Sequence, residues 1–283
     1  MTMKPQEMNC DLDALERGAI AKAKKGVPRN WIAGLSAVII FLGVWETVTQ
    51  LGFVSPMFLC PVSAIFSEAF RLFFGTGEIY RHISVSFVEL LGGLISAVVI
   101  GLPLGLGMGR YRSFRAVLEP FVTALYSTPR VALIPLLILW IGIGLTAKVF
   151  LVFLGAVFPI IVNAQTGVES ADPALVEAAR SFRATERQIF SKIMLPAALP
   201  ILIAGLRLAV GRALLMVVVG EMYASLAGVG FFIMRAGSAY DMPKAFVGIL
   251  IFTVAGLMLT ALLRSLENRI APWRPIVSNK VSY

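Results

Sequence analysis

The sequence predicts an all-α integral membrane protein with six transmembrane helices. Three observations predict it: an apolar composition, six apolar stretches of crossing length, and basic residues concentrated in alternate connecting segments. Of the 283 residues, 58% are hydrophobic and only 14% charged. Soluble domains run at about 45–50% apolar and about 25% charged, so the chain departs in both directions at once. Too little charge remains to cover a soluble globule of this length. Disorder, a coiled coil and an ordinary soluble enzyme are excluded on the same ground.

A helix needs about 20 predominantly apolar residues to cross about 30 Å of hydrocarbon. Six segments meet that requirement: 31–51, 85–108, 121–141, 146–165, 199–219 and 245–263. Pro129, Arg130 and Pro135 interrupt the third. A broken helix survives in a membrane only when it packs against protein or lines a cavity. The stretch 61–74 is short and amphipathic, with Glu68 and Arg71 on its polar side, and reads as an external interfacial helix.

Of the 25 Lys and Arg, 17 fall in the N-terminal tail, the 110–115 loop, the 166–198 loop and the C-terminal tail. The alternate loops hold Arg71, Arg81, Lys148, Arg235 and Lys244, and the spans hold Arg130, Arg207 and Arg212. The positive-inside rule therefore puts both termini and the 166–198 loop in the cytoplasm. Topology explains the net charge of +9, and no nucleic-acid partner is needed. The first 30 residues carry six basic side chains and no apolar core, so no signal peptide is expected. The expected organisation is a cytoplasmic tail (1–30), a first span with the external helix (31–79), a main transmembrane domain (80–267) and a cytoplasmic C-terminal tail (268–283).

Cys10 and Cys60 fall on opposite sides of the membrane, which leaves no disulfide framework and no thiolate metal site. His82 is the only histidine and reads as an interfacial residue ahead of an apolar span. No nucleophile elbow occurs, so no catalytic, cofactor-binding or metal-binding residue is assigned. Gly101, Gly105 and Gly109 repeat at four-residue spacing, and Gly205 and Gly211 lie in the fifth span. Small residues let helices approach closely; the alternative role is a gating hinge.

The long cytoplasmic loop is the most informative stretch. Asp172 followed by Pro173 is a strong helix start, and Thr185 with Gln188 fits a capping box. The loop is therefore two short helices joined by a tight turn, and the second must end before Pro196. Its apolar stripe (Leu175, Phe182, Ile189, Phe190, Ile193) and the small patch at Ala178-Ala179 need cover, because isolated helices this short are unstable in water. Either the bundle's own cytoplasmic end covers them, or the first helix enters a groove on a separate protein, with Glu177 meeting a basic group there.

Glu177-Ala178-Ala179, Ala184, Phe190, Ile193 and Leu195-Pro196 stand at the spacing of the EAA loop of binding-protein-dependent ABC importer permeases. Phe58-Leu59-Cys60-Pro61, the run from Thr128 to Gly144, Gly205-Leu206-Arg207, Gly220-Glu221-Met222 and Gly228-Val229-Gly230 extend the match. From about Phe58 to Glu267 the chain resembles the nitrate/sulfonate/taurine/bicarbonate subgroup of that family. The resemblance implies a type I ABC importer transmembrane domain, with 170–196 as its EAA loop. It implies Glu177, Ala178, Ala179, Phe182, Arg183, Ala184, Leu195 and Pro196 as the ATPase-coupling loop. The implied partners are a dimer of ATP-binding cassette ATPase subunits, a second permease copy, a periplasmic or extracellular solute-binding protein and membrane lipid.

ATP and Mg would sit on the ATPase, since this chain has no Gly-Lys dipeptide and hence no P-loop. The implied location is the cell inner membrane, multi-pass, and the implied cargo a small solute such as a sulfonate, taurine or nitrate. One departure stands out: Arg183 occupies the place where the family usually has Gly. A left-handed backbone there would cost about 1 kcal/mol, unless Arg183 serves instead to touch the partner. The rival class is a secondary transporter or channel for a small ion, which calls for paired halves that this sequence does not show.

The charges inside the spans are the path candidates. At 1.5 Å per residue, Arg207 lies about 12 Å and Arg212 about 20 Å into the fifth span. Arg207 reads as snorkelling to the cytoplasmic interface or binding helix-end carbonyls. Arg212 either meets an opposing carboxylate or lines the translocation path, with Arg130 and Glu221 as further path candidates. Glu221 is nine residues beyond Arg212, too far to pair with it on one helix.

Overall fold

The computed structural model describes residues 27–270; the outer parts of both tails, with Cys10, lie outside the described residues. Every regular element among the described residues is helical. Two compact units divide between Phe66 and Ser67. The first unit contains α1 (Val27–Gln50) and a turn-rich connection into α2 (Val62–Phe70). Glu46 of α1 accepts hydrogen bonds from the Ser63 N–H (3.1 Å) and hydroxyl (2.7 Å), so an α1 carboxylate satisfies the start of α2. Trp45 Nε1 donates to the Cys60 carbonyl at 3.1 Å. Val38, Ile39, Ile40 and Phe41 are exposed along α1, as a lipid-facing helix requires.

In the second unit a π-helical turn (Arg71–Thr76) ends at Gly77, and α3 (Glu78–Arg110) follows. Next come α4 (Arg112–Ser127), a 3-10 turn (Arg130–Leu133), α5 (Ile134–Ile141) and α6 (Leu145–Glu169). A helical hairpin follows, α7 (Pro173–Ser181) and α8 (Glu186–Ile189), and a π turn (Phe190–Met194) leads into α9 (Leu195–Ala224). The short α10 (Val229–Ser238) and the long α11 (Met242–Ile270) complete the unit.

Five helical runs are long and apolar enough to cross a membrane: in α1, α3, α6, the stretch Glu186–Ala224 and α11. The helix α4 and the stretch 130–141, a pair bent by 87° at its break, make a sixth candidate span when taken together. The break falls where the sequence places it. Thr128 is extended, as a residue before proline tends to be, and Pro129 can neither donate to the helix nor fit its preceding turn.

The core is the layer α3–α6–α9, with α6 in the middle. Small residues set its closeness. A Cβ at Gly101 would stand 3.1 Å from the Val157 carbonyl oxygen, and one at Gly109 would stand 2.8 Å from that of Gln165. At Gly105 it would collide with the Ile161 carbonyl. The four-residue glycine repeat is thus the seam on which α3 lies against α6 backbone to backbone. Gly155 of α6 receives Met216 of α9, and Gly205 of α9 receives Asn163, whereas Gly211 faces open space. Leu94, Ala97, Val152, Ala156, Ala209 and Ala213 fill the layer between these seams.

One expectation fails at the end of the hairpin. The second short helix does not stop before Pro196; it continues through the π turn into α9, with Pro196 in the first turn of that helix. A π turn shifts the hydrogen-bond ladder by one residue, and the first turn of a helix tolerates a residue without an N–H.

Candidate functional site

The hairpin of α7 and α8 has the two predicted starts. Asp172 accepts from the Ala174 N–H at 2.8 Å, and Thr185 and Gln188 form a reciprocal capping box. Glu186 ties the hairpin to the bundle, in ion pairs with Arg110 at the end of α3 and with Arg180 of α7 (3.3 Å). The apolar stripe divides. Ile189 is fully buried beneath the hairpin, but Leu175 is 58% and Phe182 88% exposed. Two grooves flank α7. One of about 730 Å³ is lined by Glu177, Arg180, Gly109 and Met194; the other, of about 400 Å³, by Ala179, Phe182, Arg183, Ala184 and Lys192. Leu195 and Pro196 begin α9 just beyond.

Arg183 adopts φ +56°, the left-handed backbone expected at the turn. Its N–H donates to the Arg180 carbonyl at 2.8 Å, and that of Ala184 to the Ala179 carbonyl at 3.0 Å, closing α7. A Cβ in this conformation is strained, so Arg183→Gly is expected to stabilise the hairpin by about 1 kcal/mol. The thermal midpoint of the purified chain should rise by a degree or more; an unchanged or lower midpoint would refute the strain.

Within the bundle the charges fall into separate groups. The Arg207 guanidinium forms an ion pair with Glu267 of α11, neither snorkelling nor capping carbonyls. Arg130 lies over the Tyr126 and Phe158 rings (5.3 and 5.4 Å) and donates to the Tyr126 carbonyl at 2.9 Å. Its Nε is buried and without an acceptor. Arg212 is exposed on α9, has no ion pair or hydrogen bond among the described residues, and is near enough to Arg130 for the two charges to repel. Among the described residues no carboxylate pairs with Arg212, the partner expected as one option for it, and Arg130 is the path candidate whose charge it feels.

Glu221, the third, belongs elsewhere. It is fully buried inside the subunit, accepting from the Ser86 hydroxyl and the Gly230 N–H, both at 2.6 Å. Ser86 Oγ accepts from the Val229 N–H at 2.9 Å, and His82 Nδ1 lies 3.1 Å from the Gly228 N and 3.0 Å from its carbonyl oxygen. The first N–H groups of α10 are therefore capped by side chains from α3 and α9. Gly228 is forced twice over: φ is +125°, and a Cβ would enter the Glu221 carboxylate. Beside this cap, Lys148 pairs with Glu89 and donates to Ser225 Oγ at 2.9 Å.

His82 is thus buried against the Gly228 backbone, and Lys148 lies inside the bundle and not in an outer loop. Sequence reading missed Glu89 altogether. A lone carboxylate within an apolar run, with a lone lysine near the start of another, was the available signal.

Residues 97–272 match the family described as the binding-protein-dependent transport system inner membrane component. The chain is 34% identical over 246 residues to SsuC of Bacillus subtilis, a protein named for aliphatic sulfonates transport (87% of this chain, 88% of that one). It is 30% identical over 249 residues to the taurine transport system permease protein TauC of Escherichia coli (87% and 90%). Among solved structures it is similar to an inward-facing MetNI methionine ABC transporter, with a TM-score of 0.58 at 21% identity over 70% of this chain and 96% of that one.

Proposed function

Because the chain belongs to the family of binding-protein-dependent transport system inner membrane components, a multi-pass permease by kinship and by its helices, we propose that it carries a small oxyanion, in the first place an organic sulfonate, inward across the membrane. The observation that carries this reading is the pair of cations Arg130, in the 3-10 turn at the break, and Arg212 of α9: the two charges feel each other, and among the described residues neither has a carboxylate partner. Unpaired charge within a membrane is costly, and an anion passing between the two offsets the cost. Tyr126 and Phe158 beside Arg130 add apolar surface suited to the short tail of a sulfonate. The names of the relatives SsuC and TauC support the same class of cargo.

The rest of the machine follows from the family. An ATPase dimer binding ATP and Mg docks on the exposed side of the hairpin, where Leu175 and Phe182 otherwise stand in water. A second copy of this chain completes the path by two-fold symmetry, and an external binding protein delivers the solute. Both termini then lie in the cytoplasm with the hairpin.

Proteoliposomes holding the assembled transporter and its binding protein test the reading. ATP-dependent accumulation of taurine or a short alkanesulfonate is expected, in preference to an uncharged solute of similar size. Accumulation of the uncharged solute alone would sink the oxyanion assignment.

A further inference from the structure

The polar cluster at the outer end of the bundle has an unbalanced charge count, whatever the transported solute. Glu89 and Glu221 are 0% exposed and Lys148 only 7%. Glu221 behaves as an ionised acceptor at both oxygens, one taken by the Ser86 hydroxyl and one by the Gly230 N–H. Glu89 differs. It faces Lys148 and the Glu221 carboxyl, and neither of its oxygens receives a well-aligned hydrogen bond.

The other charged and titratable groups nearby are engaged elsewhere. His82 of α3 has Nδ1 against the Gly228 backbone, 3.1 Å from its N and 3.0 Å from its carbonyl oxygen, and Arg235 of α10 lines a groove with Glu78, Asp241 and Lys244. Two carboxylates beside one ammonium in a dry interior would leave a net negative charge and press two acceptor groups together. One additional hydrogen removes both problems, because it cancels the surplus charge and turns an acceptor of Glu89 into a donor toward Glu221.

We propose that the Glu89–Lys148–Glu221 cluster is a binding site for a single resident proton, held between the two carboxyls, and that the resulting neutral triad anchors the turn 225–230 to α3 and α6. The proton is a bound component of the fold. Lys148 joins the triad to the turn through Ser225, and Glu221 joins it to α10 through Gly230.

Infrared spectroscopy of the purified chain in an ester-free maltoside detergent at neutral pH tests this without any transport assay. The wild type should show a carboxylic-acid C=O band worth one group per chain, shifted in heavy water. Glu89→Gln and Glu221→Gln should each abolish it, because the remaining carboxylate then balances Lys148 alone. Lys148→Met should double it, since neutrality then requires two protons. Absence of the band in the wild type overturns the proposal even if no variant folds. So does a band that persists in both glutamine variants, or an unchanged area in a folded Lys148→Met.

Discussion

Ala179→Asp is expected to abolish ATP-driven uptake while the chain still inserts and folds. Ala179 sits on the inner side of α7, half-buried, on the wall of the groove it shares with Phe182, Arg183 and Lys192. Its carbonyl already serves the turn, accepting from the Ala184 N–H, but its side chain only lines the groove. A carboxylate there is tolerated in the free subunit, where water reaches it. In the docked state it becomes a buried charge without a partner, which costs about 3–5 kcal/mol, or roughly two to four orders of magnitude in association. Co-purification with the ATPase and uptake should fall together, with membrane yield unchanged. Recovery of the ATPase at wild-type levels would show that this hairpin face is not the docking surface.

The second large effect belongs to Arg212. Arg212→Gln should reduce sulfonate uptake about 10- to 100-fold, the loss of roughly 1.4–2.8 kcal/mol of anion stabilisation, with normal assembly. Assembly is spared because no carboxylate within the subunit depends on Arg212, in contrast to Arg207, whose replacement removes the ion pair to Glu267. A site that bound the anion much more tightly would also retain it, so a larger effect is not expected. The measurement is initial uptake rate against solute concentration, alongside ATPase recovery. Poor assembly for every solute would make Arg212 a structural residue, and wild-type kinetics would remove it from the path.

Features with a local cause were legible in the sequence. Hydrophobic length marked the spans, Pro129 marked the break in the third, and the Asp172 and Thr185 caps marked both hairpin starts. The left-handed turn at Arg183 was legible only against the family's glycine. The glycine seam was half-legible: the spacing announced close packing, but nothing in α3 alone says that its partner is the α6 backbone. What escaped depends on pairs distant in sequence. Glu89 meets Lys148, and Ser86 meets Glu221, across separate helices, and no periodicity within one helix encodes its partner. Pro196 misled for the opposite reason. A strong local stop signal was overridden by a π turn that no residue of 190–194 announces.

That π turn has a mechanical consequence. Because the hairpin does not end before Pro196, residues Glu186–Ala224 form one helical run of 39 residues. At 1.5 Å per residue, such a strut is about 58 Å long. It starts at the Arg110–Glu186 contact and ends one turn past Glu221, beside the capped start of α10. Moved as one rigid piece, such a run is a lever: tilting its Glu186 end by about 5° would sweep the far end through about 5 Å, for a length set by the helical rise. A push at the Glu186 end then has a continuous backbone route to the neighbourhood of α10, with the π turn and Pro196 and Pro200 as the places where it would bend.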